Sequence, residues 1–414
     1  MKGILLLSLA VLPVMAQFQP VIVAGGPPAD GAYSQGMWAQ DYLYVSGLGP
    51  RDAAGRLAPG FEAQARQVME NVKAVVTAAG VTMEHVAYAH VYLREMRDYG
   101  AMNRIYGEYF TKTPPARAVL GVAGLRSGAL IDVKAVAVRH LYQKQPVMIA
   151  GYDPKEPYTP GILTHDQIYV SAMPGRELET GRVPTEAARQ VELALDGMSR
   201  VLGAAGLDFR HMVFVNPFLT EKLPAGVMNE IYARQWKLGT APARGTIFVT
   251  DLPHGARIEF TGVGVRDLAK RRVLYPRNFK TSATASPCVM GAGWIYCSGK
   301  SGFITGVNGG IFHGDPGVQL RQSMRNLLDG LEELNLDFRA AVETTLYLDN
   351  IADYAKCESV YKLYFEGPPP AQAALQQIAP AKRVEGPEGR WPALEQLTLI
   401  GYQAARATGE GTER

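Results

Sequence analysis

A chain of 414 residues, 47% hydrophobic and 20% charged, is long enough to bury several cores and does not have a disordered or low-complexity composition. Its formal charge of +3 is too small for bulk attraction to a polyanion, and the densest basic run, Lys270-Arg271-Arg272, falls in a predicted linker, so no nucleic-acid partner is expected. The seven histidines are scattered, with no Cys-x-x-Cys or His-x-x-x-His pattern, so no metal centre is predicted.

At the start, Lys2, the apolar run Ile4 to Val14 and the small-residue sequence Val14-Met15-Ala16 predict a secretory signal peptide over residues 1–16. That run is shorter than the roughly twenty residues needed to span a bilayer, and no later stretch reaches that length. The expected product is exported, periplasmic or extracellular, with no membrane contact once the signal is removed.

From residue 17 the chain repeats itself. Tyr33-Ser34-Gln35-Gly36 matches Tyr158-Thr159-Pro160-Gly161, and Tyr44-Val45-Ser46-Gly47 matches Tyr169-Val170-Ser171-Ala172 and Tyr296-Cys297-Ser298-Gly299. Met102-Asn103-x-x-Tyr106 matches Met228-Asn229-x-x-Tyr232, with Glu358-x-x-Tyr361 in the third copy. A period of about 125 residues is domain-sized, and the predicted domains are 17–145, 146–270 and 271–403, with a flexible tail over 404–414.

Within the first domain, Tyr42 to Ser46 reads as a strand, and Phe61, Ala65, Val68, Met69, Val72, Val75 and Val76 recur at helical spacing up to a stop at Gly80. A strand over Val86 to Leu93, a second helix carrying Met102, Ile105 and Tyr106, and strands over Ala116 to Val122 and Leu130 to Val138 follow. The other copies keep this order. The fold class is α+β, a mixed sheet with two helices on one face, and three such sheets cover their open faces by packing around a pseudo-threefold axis. In the third domain Cys288 and Cys297 flank a Gly291-Ala292-Gly293 turn and could pair across a hairpin, a geometry demanding enough to leave the bridge open; of three cysteines at least one stays free.

One constellation recurs with the domains. Pro115-Ala116-Arg117 is followed fifteen residues later by Asp132, and Pro242-Ala243-Arg244 fifteen residues later by Glu259. If the last two strands form a hairpin, each arginine lies roughly 10 Å from the carboxylate of its own copy, with room for a small carboxylate ligand between them. The bland reading is a surface ion pair worth about 0 to 1 kcal/mol, duplicated by inheritance. In the third copy Gln372 stands in the arginine position, and an amide near Glu395-Gln396 falls at the carboxylate position.

Ala32-Tyr33-Ser34-Gln35-Gly36, Tyr44-Val45-Ser46-Gly47, the helix with Gln64 and Asn71, Met102-Asn103-x-x-Tyr106, Pro115-Ala116-Arg117 and Ile131-Asp132-Val133 resemble the RidA family of enamine and imine deaminases, also called YjgF or L-PSP. The resemblance covers nearly the whole chain after residue 17 and is weakest in the third copy. It implies chorismate-mutase-like domains packed as an intramolecular pseudo-trimer in a monomeric chain, with clefts between neighbours. It implies hydrolysis of short 2-imino acids to 2-oxo acids and ammonia without a cofactor. By that likeness Arg117 and Arg244 hold the substrate carboxylate, and Asp132 and Glu259 position or activate water. Tyr33, Ser46, Gly47, Tyr158 and Ser171 line the clefts, with Asn103 and Tyr106, or Asn229 and Tyr232, arriving from the adjoining copy. Asp132 is one methylene shorter than the family's glutamate, which ranks Arg244 with Glu259 first, and Ala285 and Gln372 remove the third copy from the chemistry. One alternative is a ligand-binding or scaffold protein whose clefts have lost turnover; another, the ribonuclease-like role sometimes attributed to the family, is disfavoured by the near-neutral charge and the lack of a basic, aromatic-lined stripe.

Overall fold

The computed structural model describes residues 18–404 apart from 29, 151, 153–155 and 278, so the expected signal peptide and residues 405–414 of the expected tail lie outside the described residues. The helical periodicity becomes two helices per repeat: Phe61–Ala78 and Tyr99–Tyr109, Ala187–Ala204 and Ala225–Ala233, Pro316–Glu332 and Tyr354–Tyr361. In the first long helix Ala65, Val68, Met69, Val72, Val75 and Val76 are all buried against one face of a sheet, and Gly80, at φ 81°, turns the chain in a conformation that suits glycine.

The first sheet runs in the order Phe18–Val21, Gly36–Ala39, Tyr42–Leu48, Ile131–Val138, Val86–Leu93, Ala116–Gly121. Every neighbouring pair is antiparallel except the last, where Ala116–Gly121 lies parallel to Val86–Leu93 after a crossover through the second helix. The expected hairpin of the last two strands is therefore wrong. Val86–Leu93 sits between them and hydrogen-bonds to both, because a helix between two strands favours a parallel crossover over a hairpin. The second and third sheets repeat this plan from Gln145 to Val265 and from Arg271 to Tyr402.

The three faces not covered by helices share one core. Tyr44, Tyr169 and Tyr296, which hold the same place in each repeat, are buried there with Phe214, Trp294 and Val263. Backbone bonds also cross between repeats: Gly124–Leu125 of the first adds an antiparallel strand beside Ala371–Gln376 of the third, and Gly121 N–H donates to the Asp251 carbonyl at 2.9 Å. The chain is an α+β pseudo-trimer folded on itself.

The shared core has one ionic contact that the symmetry does not repeat. Lys134 Nζ donates to Glu343 Oε1 at 2.5 Å and to Thr345 Oγ1 at 2.9 Å, with both charged side chains largely buried. Strand register places Thr261 and Thr398 where the first repeat has Lys134. Removing one member leaves the other charge buried and alone, so Lys134→Ala is expected to cost about 3 to 5 kcal/mol of stability, read by denaturant unfolding. A change within experimental error would show that water reaches the pair.

Cys288 and Cys297 stand opposite each other on neighbouring antiparallel strands and are joined as a disulfide, while Cys357 is free and buried.

Candidate active site

The site residues meet between repeats. Each repeat's serine clasps the arginine-position strand of the repeat before it. Ser171 Oγ donates to the Thr159 carbonyl at 2.6 Å and accepts from the Arg117 backbone N–H at 2.8 Å. Ser298 does the same for Arg244, and Ser46 for Gln372. The expected lining serines Ser46 and Ser171 thus act as interface pins, each donating to one backbone carbonyl and accepting from one backbone N–H.

This fixes three clefts, each with an arginine position from one repeat and the tyrosine, serine and carboxylate positions from the next. Arg117 shares its cavity with Tyr158, Ala172 and Glu259 of the second repeat. Asp132, in its own repeat, is elsewhere, beside Arg126 and Tyr33. The pairing of each arginine with the carboxylate fifteen residues on is corrected, and with it the ranking of Arg244 and Glu259 as one site.

In the cleft between repeats one and two, the Arg117 guanidinium is 4.8 Å from the ring centre of Tyr106 and 5.5 Å from that of Tyr158. Tyr106 and Asn103 come from the same repeat as Arg117 and adjoin the other half of the cleft only with it. Arg117 is 3% exposed, and among the described residues its side chain makes a weak bond from Nη1 to Met102 Sδ at 3.9 Å. Its Nη2, Asn103 Oδ1 and Glu259 Oε2 are buried with no hydrogen-bond partner among the described residues. Buried polar atoms left open in this way are costly unless a ligand or water meets them. Burial pushes the Glu259 carboxyl up to about 8, with Arg176 and Arg117 pulling the other way.

The cleft between repeats two and three is spent internally. Arg244 donates to Asn229 Oδ1 at 2.8 Å and lies 5.5 Å from the ring centre of Tyr232, so it lacks the open acceptor that Asn103 keeps in the first repeat. Across from it stand Ala285 and Gln396, the latter opposite Tyr347 in the register where Glu259 faces Phe218. This arrangement has a guanidinium beside its own repeat's Tyr232, but alanine and glutamine at the tyrosine and carboxylate positions of the next repeat.

Between repeats three and one, Gln372 accepts from the Tyr354 hydroxyl at 3.0 Å, and an arginine enters from the opposite side. Arg126 Nη2 donates to the Gly47 carbonyl at 2.7 Å and Nη1 to Asp30 Oδ1 at 2.9 Å, and the guanidinium lies 4.9 Å from the Tyr33 ring centre. Asp132 is 3.9 Å from this guanidinium, and burial pushes its carboxyl up to about 6 against the pull of Arg126. A Cβ at Gly47 would lie 2.7 Å from Asp132 Oδ1, so the glycine is needed for close packing. Arg126 brings its own ion cluster into this cleft, where its Nε and Asp132 Oδ1 are buried without a hydrogen-bond partner among the described residues.

Four residues of the cleft between repeats one and two escaped the sequence reading: Tyr99, Glu156, Arg176 and His254. Glu156 accepts from the Tyr99 hydroxyl at 2.8 Å and lies 2.7 Å from His254 Nε2. None belongs to a motif that recurs in the three copies, so a search for repetition passes over them.

The profile of the Endoribonuclease L-PSP family matches the chain three times, over residues 25–139, 148–265 and 277–385. A RutC family protein of Pyrococcus horikoshii is 36% identical over 121 residues, 29% of this chain and 96% of that protein. A 2-iminobutanoate/2-iminopropanoate deaminase of Capra hircus is 36% identical over 121 residues, 29% of this chain and 88% of the relative. Among solved structures, RidA from the Antarctic bacterium Psychrobacter matches with 32% identity and a TM-score of 0.29, covering 29% of this chain and 98% of its own.

Proposed function

Because this chain belongs to the RidA (YjgF, L-PSP) family, whose profile matches it three times, we propose that it hydrolyses short 2-imino acids to 2-oxo acids and ammonia in one cleft, between its first and second repeats. The observation that carries this reading is the convergence of open groups. Arg117 Nη2 is a buried donor without a partner and Glu259 Oε2 a buried acceptor without one, and both residues line one cavity. A planar guanidinium is suited to the carboxylate of a 2-imino acid, and Tyr158 stacked against it limits the poses available. Glu259, on the adjoining repeat, is placed to exchange a proton with the reacting C=N group. Orientation and proton management are the main demands of hydrolysing an already reactive C=N bond.

The other two clefts serve structure in this proposal, Arg244 through Asn229 and Arg126 through Asp30. The chain acts as a monomer, since its three repeats already provide one another's neighbours. The Cys288–Cys297 disulfide supports export to an oxidising compartment.

The test uses a 2-imino acid made in place by an amino-acid oxidase, with ammonia release followed beside the uncatalysed reaction. The chain is expected to accelerate release at micromolar or lower concentration. If release matches that in buffer alone, hydrolysis fails and the clefts remain as binding sites.

A further inference from the structure

We propose that His254, held by Glu156, and Glu259 form a proton-transfer pair in this cleft, with His254 the base for water attack and Glu259 the acid at the imine nitrogen. This rests on the imine-hydrolase reading above and deepens it. The starting point is the loop before the last strand of each repeat. Ser127, His254 and Glu388 there all have positive φ, at 55°, 60° and 58°. Non-glycine residues seldom take this conformation, so the backbone cost is shared by all three repeats. Only the second repeat places an imidazole on that turn.

The imidazole is then fixed by two neighbours, of which the tyrosine has a counterpart, Tyr354, beside Arg126 in the cleft between repeats three and one. Glu156, from the segment leading into the second repeat, lies 2.7 Å from His254 Nε2, and the Tyr99 ring meets the imidazole edge-on with centres 5.5 Å apart. Tyr99 also donates to Glu156 at 2.8 Å, so the carboxylate is held from two sides. A carboxylate accepting from Nε2–H leaves Nδ1 as the ring's acceptor. Arg117, Tyr158, Arg176 and Glu259 are the other charged or titratable groups lining this cavity with them.

The environments of the two carboxyls diverge. Burial works to raise Glu156 but the bonds from His254 and Tyr99 outweigh it, and the group stays below the usual carboxylate range. Burial raises Glu259 to about 8, and Glu156 adds to that rise. Near neutral pH one carboxyl is ionised and orients a base, and the other is a neutral acid. Groups driven apart in this way are suited to opposite proton-transfer roles.

The steps balance. Water oxygen bonds to the imine carbon while His254 Nδ1 takes its proton; the C=N π pair moves to nitrogen, which takes the Glu259 proton. This leaves a neutral carbinolamine, an imidazolium and a carboxylate. The amine then accepts the imidazolium proton and leaves as ammonia with the C–N pair, and the hydroxyl proton returns to Glu259 as the carbonyl forms. Both groups are restored, and no oxidant or cofactor is consumed.

The experiment measures kcat and KM against pH for wild type, His254→Asn, Glu156→Gln and Glu259→Gln, with thermal unfolding of each. Asparagine tolerates the left-handed turn, so His254→Asn should fold as wild type does. Wild-type kcat should fall at low pH and again through about 8. His254→Asn should lower kcat about a hundredfold, change KM by less than about threefold and lose the low-pH limb while keeping the high one. Glu156→Gln should follow the same pattern more mildly, and Glu259→Gln should lose the high-pH limb. Wild-type kcat and an intact low-pH limb in His254→Asn overturn this assignment and leave imine hydrolysis standing. If wild type itself is inactive, both fail, and the cause lies in the earlier reading.

Discussion

Arg117→Ala is expected to lower kcat/KM for imine hydrolysis by about 10²- to 10³-fold, whereas Arg244→Ala should stay within about twofold of wild type. The two arginines have the same sequence setting, yet their surroundings differ. Arg117 keeps Nη2 open, faces Tyr158 and shares a cavity with Glu259. Arg244 is bonded to Asn229 and looks toward Ala285 and Gln396, which offer neither stacking nor a carboxylate. Losing a desolvated charged contact to substrate costs about 3 to 4 kcal/mol, which gives the range stated. Ammonia release with each single variant measures it directly. Equal losses in both, or a larger loss in Arg244→Ala, would move the working cleft away from Glu259.

Stability should fall as pH rises from about 4.5 to about 8, and Glu395→Ile should remove much of that fall. Glu395 occupies the place of Ile131 and Ile258 on the last strand of its repeat, buried in the third core beside the Ser323 hydroxyl. Burial moves its carboxyl from an ordinary 4.5 to about 8, with the Ser323 bond opposing. Between those values the folded chain holds a proton that the unfolded chain has released. Unfolding therefore becomes easier as pH rises, by on the order of 4 kcal/mol across the window, and the effect levels off above it. Glu259 contributes in the same direction. Lys300, which burial pushes down to about 7, works the other way at higher pH, because there the unfolded chain binds the extra proton. Urea unfolding at pH 5 and pH 8.5 should separate wild type from Glu395→Ile mainly at the higher pH. An equal difference at both would mean that packing, and not ionisation, sets the cost.

Much of the architecture was legible because it is local. Helices appear in the spacing of Val68, Val72, Val75 and Val76, and the threefold repeat in the recurrence of Tyr44, Tyr169 and Tyr296, which the fold gathers into the shared core. The matched motifs marked residues that pin repeat to repeat, with Ser46 and Ser171 each bonded to backbone of two segments. The last-strand register was harder. Arg117 and Asp132 look like hairpin partners only if Val86–Leu93 lies elsewhere, and a helix crossover places that strand between them.

By itself the sequence determined three α+β domains, their order, and which residue types recur at the arginine, tyrosine and carboxylate positions, because helix period, strand alternation and repetition are properties of neighbours along the chain. Only the tertiary structure decided that Arg117 meets Glu259, that Arg126 replaces the guanidinium lost at Gln372, and that His254 and Glu156 enter the same cavity. The first two meetings cross a pseudo-threefold interface and the third joins distant parts of one repeat, and no spacing rule along the chain reaches either.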